Sequence, residues 1–131
     1  KKDFTGFQLI CSHTDSPSFK IKENAEMDAD GKYTKLNVEG YGGMLCAPWF
    51  DRPLSVAGRI AVRTENGIET RLVNLDQDLA MIPNLAIHMN REANSGYKYN
   101  IQKDMLPIVG EASSKGKLMK LVAENAGVKE E

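Results

Sequence analysis

Leu54-Ser55-Val56-Ala57-Gly58-Arg59-Ile60-Ala61-Val62-Arg63 is the stretch that decides the fold class. Leu54, Val56, Ile60 and Val62 stand at even positions, and Ser55, Arg59 and Arg63 at odd ones. Successive side chains of a strand point to opposite faces, so the stretch reads as a strand with one apolar and one mostly wet face. Asn66-Gly67 follows, a pair suited to the positive φ angles of a tight type I′ turn. Ile68 to Leu75 then returns with Ile68, Thr70 and Leu72 in register, which makes a β-hairpin.

Working outward, the same reasoning finds more strands. Upstream, Asp30-Gly31 is a hairpin signal between the alternation Phe19-Lys20-Ile21-Lys22 and the run Tyr33 to Val38. Further back, Phe4 to Cys11 is a short apolar run that reads as a buried strand, stopped by Ser12-His13-Thr14-Asp15-Ser16-Pro17. Gly42-Gly43 and the stretch Pro48 to Pro53 read as irregular backbone. Downstream, Leu79-Ala80-Met81-Ile82 is a short strand ended by Pro83, and Glu92 to Asp104 is a polar surface loop. One helix pattern comes late: Ser114 as cap, Leu118, Met119, Val122 and Ala126 on one face, Gly127 just past the end. The expected fold is mainly β, a small antiparallel β-barrel or roll with one late α-helix, closure burying the strand edges.

The 131 residues suit one domain, and 41% apolar with 27% charged residues suits a globular core. Lys and Arg number 17 against 18 Asp and Glu, a net charge of −1. That balance offers no field for nucleic acid or anionic lipid, and no apolar run is long enough to span a membrane. Cys11 and Cys46 form no Cys-x-x-Cys motif, so a reduced, cytoplasmic chain is the expectation. The chain opens without Met and almost inside a strand, which reads as a piece of something longer.

Two histidines narrow the search for chemistry. His13 and Asp15 are two apart, so in an extended segment imidazole and carboxylate lie side by side. A carboxylate that holds one ring nitrogen orients a metal-bound imidazole and raises its basicity. The competing reading is a polar turn in which Asp15 or Ser16 bonds the local backbone. His88, after Ile82-Pro83-Asn84-Leu85-Ala86-Ile87, is either a polar group presented at a surface or a half-buried structural histidine. Cys11 and Ser12 point to opposite faces of a strand and cannot share one base, so no nucleophile triad is read. Gly40, Gly42 and Gly43 lack a following Lys-Ser/Thr and a helix, so they make no phosphate loop. Trp49-Phe50 beside Asp51-Arg52 reads as an aromatic anchor flanked by an ion pair.

Three segments together resemble the aspartyl aminopeptidase and aminopeptidase I family of zinc metallopeptidases. Ser12-His13-Thr14-Asp15-Ser16-Pro17 is similar to its His-Thr-Asp-Ser-Pro signature. Tyr41-Gly42-Gly43-Met44-Leu45-Cys46-Ala47-Pro48-Trp49-Phe50-Asp51-Arg52-Pro53-Leu54 is similar to its Tyr-Gly-Gly…Trp-Phe-Asp-Arg segment, and Ile82 through Arg91 to its Ile-Pro-Asn-Leu-Ala-Ile-His stretch. The resemblance implies that residues 1–17 are the last strand and metal-site loop of a catalytic domain. Residues 18–131 would be an inserted β dimerisation domain, incomplete at its carboxy-terminal end. It also implies that His13 binds one ion of a two-zinc centre, that Asp15 orients it, and that His88 contacts substrate in a neighbouring subunit. In an alternative reading of the family, His88 is a metal ligand. The family's other ligands and its Glu-Glu pair match nothing here, and Glu111, Glu124, Glu130 and Glu131 do not replace them. The expectation is therefore a zinc aminopeptidase acting on peptides and assembling through homo-dimers to a dodecamer. The isolated chain is expected to be inactive, without tightly bound zinc. The alternative is a stand-alone β-barrel assembly or peptide-binding module with no catalysis.

Overall fold

The computed structural model describes residues 5–130, whose strands form two antiparallel sheets. β1 (Ser18–Ala29) and β2 (Tyr33–Tyr41) form a hairpin, and β5 (Ile108–Glu111) adds to the other side of β2. β3 (Leu54–Thr64) and β4 (Gly67–Ala80) form the second hairpin. A short helix α1 (Ile101–Asp104) precedes β5, and α2 (Lys117–Ala126) follows it. Mainly β with one substantial late helix is thus the architecture. Among the described residues the sheets do not close into a barrel. They meet through one antiparallel bridge, in which Met81 and Ile108 exchange backbone bonds of 3.0 and 2.8 Å.

The first hairpin turns as Asp30-Gly31 suggests. Both residues take positive φ, 54° and 65°, and Lys32 N–H donates to the Ala29 carbonyl at 3.1 Å. Asp28 Oδ1 accepts from Gly31 N–H at 2.9 Å and fixes the turn from the side. In β2 the even residues Thr34, Leu36 and Val38 are buried. Leu36 and Val38 join Val73, Leu75, Ala80, Leu106, Leu118 and Val122 in one core.

The second hairpin departs from expectation at its turn. Thr64 pairs with Gly67, so the loop is Glu65-Asn66, and the positive φ of 118° falls on Gly67. Moving the loop by one residue shifts the register by two and leaves the faces unchanged, so the apolar even positions of β3 stand opposite odd positions of β4. Val73 and Leu75 therefore face the core, while Ile68 and Leu72 stand 77% and 82% exposed on the outer face. β3 keeps its expected parity, with Leu54, Val56, Ile60 and Val62 half-buried. Leu79-Ala80 is the end of β4 and not a separate strand.

The expected strand over Phe4 to Cys11 is not formed. Phe4 lies outside the described residues, and residues 5–17 have no regular structure, with Phe7 and Ile10 83% and 89% exposed. A run that is apolar on both faces needs a sheet on each side, and no described strand offers that pairing.

α2 is held at both ends by residues remote in sequence. Ser114 lies in a single turn before it and is not the cap. Glu26 of β1 supplies the acceptor instead: its carboxylate takes the Gly116 N–H, and its Oε1 takes the Leu118 N–H at 3.0 Å. At the other end Arg71 donates to the Ala126 carbonyl at 2.9 Å. Anion at the amino end and cation at the carboxyl end both complement the helix dipole. Gly127, with φ 67°, closes the helix as expected, as Gly127 N–H bonds Glu124 O and Val128 N–H bonds Ala123 O. Leu118 and Val122 are buried as expected, but Met119 stays exposed.

Candidate functional site

The segment before β1 carries the first candidate pair. Pro17 breaks it, and Ser18 pairs with Tyr41 to begin the sheet. The chain passes close over Gly42, whose φ of 81° favours glycine and where an added Cβ would stand 3.6 Å from Pro17 Cα. Beyond that pivot His13 Nδ1 lies 3.2 Å from Asp15 Oδ1, both side chains more than 70% exposed at 78% and 74%. A carboxylate at Nδ1 favours the tautomer with its proton there and leaves the Nε2 lone pair free. The arrangement can donate one imidazole nitrogen outward. It cannot complete a metal site. Among the described residues no three His, Cys, Asp or Glu side chains stand together as metal ligands.

The segments Tyr41–Leu54 and Ile82–Arg91 are bound to each other. Phe50 bridges Ile82 in parallel fashion, and Asp51 N–H donates to the Ile82 carbonyl at 2.9 Å. Asp51, at φ 55°, returns its Oδ1 to accept from Asn84 N–H at 2.8 Å. Asn84 Oδ1 in turn accepts from Leu85 N–H at 2.9 Å. The expected Asp51–Arg52 ion pair is not made, because Arg52 donates to the Pro48 carbonyl at 3.3 Å. Trp49 packs edge-on to Phe19 with centroids 4.8 Å apart, as an anchor should, and Phe50 leans on Tyr99 at 5.2 Å.

This joint holds the base of the loop that carries His88. Ile82 is fully buried, while residues 83–89 are exposed. A tight turn, with Met89 and Asn90 N–H both donating to the Ala86 carbonyl at 2.8 and 3.2 Å, presents His88 to solvent. The half-buried alternative for this histidine is not what is seen. Leu85, Ile87 and Met89 beside it are also exposed. His88 is not gathered with His13 and Asp15 into a metal-binding group.

Sequence reasoning missed Tyr97 and Asp104. Asp104 Oδ2 accepts from Asn100 N–H at 2.7 Å and from the Tyr97 hydroxyl at 3.3 Å. The Tyr97 phenol is held above its usual pKa, first by desolvation, then by the Asp104 charge and hydrogen bond and by Tyr99. It stays a donor. Tyr-x-Tyr-Asn before Ile101 was the only available signal, and it did not mark a partner. Cys11 and Cys46 are both free thiols.

Residues 1–131 match the family described as aminopeptidase I zinc metalloprotease (M18). The chain belongs to this family. It is 51% identical over 128 residues to the probable M18 family aminopeptidase 2 of Clostridium acetobutylicum, covering 93% of this chain and 30% of that protein. A solved structure of the Ape4 and Nbr1 complex matches 88% of the chain at 34% identity, with a TM-score of 0.78, and 25% of its own chain is covered. The S. cerevesiae mApe1 dodecamer matches 90% of the chain and 27% of its own at 26% identity, TM-score 0.65. The chain thus spans about a third or less of the M18 relatives it matches. No helix among the described residues is long and apolar enough to cross a membrane.

Proposed function

We propose that this chain is the part of a zinc aminopeptidase that supplies one metal ligand and a subunit-pairing domain. Residues 1–17 belong to the catalytic portion on this reading, and residues 18–131 to the inserted pairing domain. The observation that carries it is the His13–Asp15 contact of 3.2 Å in a chain of M18 membership. Zinc in such a centre polarises the scissile carbonyl and makes water a nucleophile at neutral pH. The residues of this chain do the rest of what is assigned here. Asp15 holds the His13 imidazole by Nδ1, which would leave Nε2 to bind the metal. His88, on a turn held by the Asp51–Asn84 joint, contacts the peptide substrate in the neighbouring subunit.

Two zinc ions, peptide substrates, a cytoplasmic location and a dodecamer built from homo-dimers complete the proposal. One structural relative is described as a dodecamer. The exposed Ile68 and Leu72 give the outer hairpin face apolar area of the kind that subunit contacts cover. The remaining ligands and the general base are taken to lie outside the chain, so the isolated segment is proposed to be inactive.

The test uses the full-length protein. His13→Ala should remove about one of two zinc ions and nearly all turnover. Asp15→Asn should keep the metal and lower turnover by about ten- to a hundredfold, because an amide orients the ring without the charge. Equal zinc loss in both variants would contradict the division of roles.

A further inference from the structure

Among the described residues, both sheets leave a strand edge unpaired. β1 is the outer strand of one sheet, and β3 has β4 on one side only. An open groove of about 820 Å³ runs between them. Its walls include Phe19 and Ile21 from β1, Val56 and Ile60 from β3, and Val38 and Val122 beneath. Val38 and Val122 belong to the buried core, and the other four pack against it only half-covered. Two free backbone edges with an apolar floor are what an added strand requires. The edges give it hydrogen bonds, and the floor takes alternate side chains.

The course of the chain after α2 indicates what fills the groove. Val128, Lys129 and Glu130 line a neighbouring cavity together with Ile60 to Thr64 of β3. Ile60, Met119 and Val122 belong to both this cavity and the groove, so the two are contiguous. Residues 128–130 therefore stand at the Thr64 end of β3, beside the groove. A continuation turning from there toward Leu54 runs antiparallel to β3. The relative from Clostridium acetobutylicum, of which this chain covers 30%, has ample further length.

We propose that the groove is occupied by a strand of the same polypeptide, following residue 131 in the longer protein and added antiparallel to β3 between β3 and β1. Spanning from Ile60 to Leu54 takes ~7 residues at ~3.3 Å each, with apolar side chains at alternate positions. The strand joins the two sheets and buries Phe19, Ile21, Val56 and Ile60.

Hydrogen exchange read by mass spectrometry on the full-length protein tests this. In a hairpin edge, alternate amides of Leu54–Ile60 face away from β4. With the groove filled, all of them should exchange about 100-fold or more slowly than the amides of residues 92–96. A segment within the first ~15 residues after 131 should share that protection. Fast exchange of the alternate β3 amides would overturn the proposal, because the groove would be open. Protection that disappears when the assembly is dissociated to folded monomers would also overturn it, because the occupant would be a second copy. Protection of β3 without any protected segment soon after residue 131 would overturn it as well.

Discussion

Asp51 works through a residue 33 positions away, and its neighbour Arg52 conceals this. Its carboxylate joins the Trp49-Phe50 segment to the base of the His88 turn, and it does so from a left-handed backbone. Asp51→Ala loses a charge-assisted hydrogen bond and puts Cβ strain at φ 55° without a compensating side-chain bond. It should lower stability by about 2 kcal/mol, read by urea unfolding. Asp51→Asn, which keeps an acceptor and tolerates that φ, should lose less than about half as much. Equal losses would show that the Asn84 bond is not what matters. The His13–Asp15 contact was legible because residues two apart in extended chain share a side. The Asp51–Asn84 contact was not, because nothing local to Asp51 names a partner across the fold.

At the scale of elements, two apolar sets of opposite parity in one strand account for the main error of face. Asn66-Gly67 reads as the two central residues of a turn, yet the loop is Glu65-Asn66 and Gly67 begins β4. β3 was legible because its own alternation settles which face is apolar. β4 was not, because Ile68 and Leu72 offer an apolar set of one parity and Val73 and Leu75 another, and only the pairing chooses. The start of α2 was misread for a similar reason, since Glu26 reaches its cap position from a strand 90 residues earlier. The irregular pairing between Ile21 and Glu26 sets that residue opposite Leu36 and on its side of the sheet. Glu26→Gln keeps the geometry but removes the charge at the helix amino end. It should cost about 0.5–1 kcal/mol, and the loss should shrink at high salt. A loss independent of salt would point to packing instead. Gly127→Ala meets a positive φ and should cost about 1 kcal/mol in the same measurement.

For the whole molecule, the mainly β chain belongs to the M18 family and spans about a third or less of the relatives it matches. The roll was legible as a class, but its closure was not, because the expected edge pairing is not present among these strands. The strand expected over residues 4–11 fails to form for the matching reason that no described sheet receives it. The pairing face can be tested directly. Leu72 is exposed, so Leu72→Asp should leave folding within about 0.5 kcal/mol. In the full-length protein it should nonetheless shift the assembly to smaller mass, seen by light scattering. An unchanged mass would remove the outer hairpin face from the subunit contact. His88→Ala should raise KM or lower kcat while zinc content and assembly size stay unchanged, and a fall in zinc would favour the ligand reading of His88. Subunit mixing is the most direct test of the central claim, that His13 serves its own subunit and His88 its partner. In an equal mixture of His13→Ala and His88→Ala full-length proteins, random exchange gives about one quarter of sites an intact His13 and a partner with an intact His88. The account predicts recovery to about one quarter of unsubstituted activity from two nearly inactive parents. No recovery, under conditions where labelled subunits are shown to exchange, would contradict it.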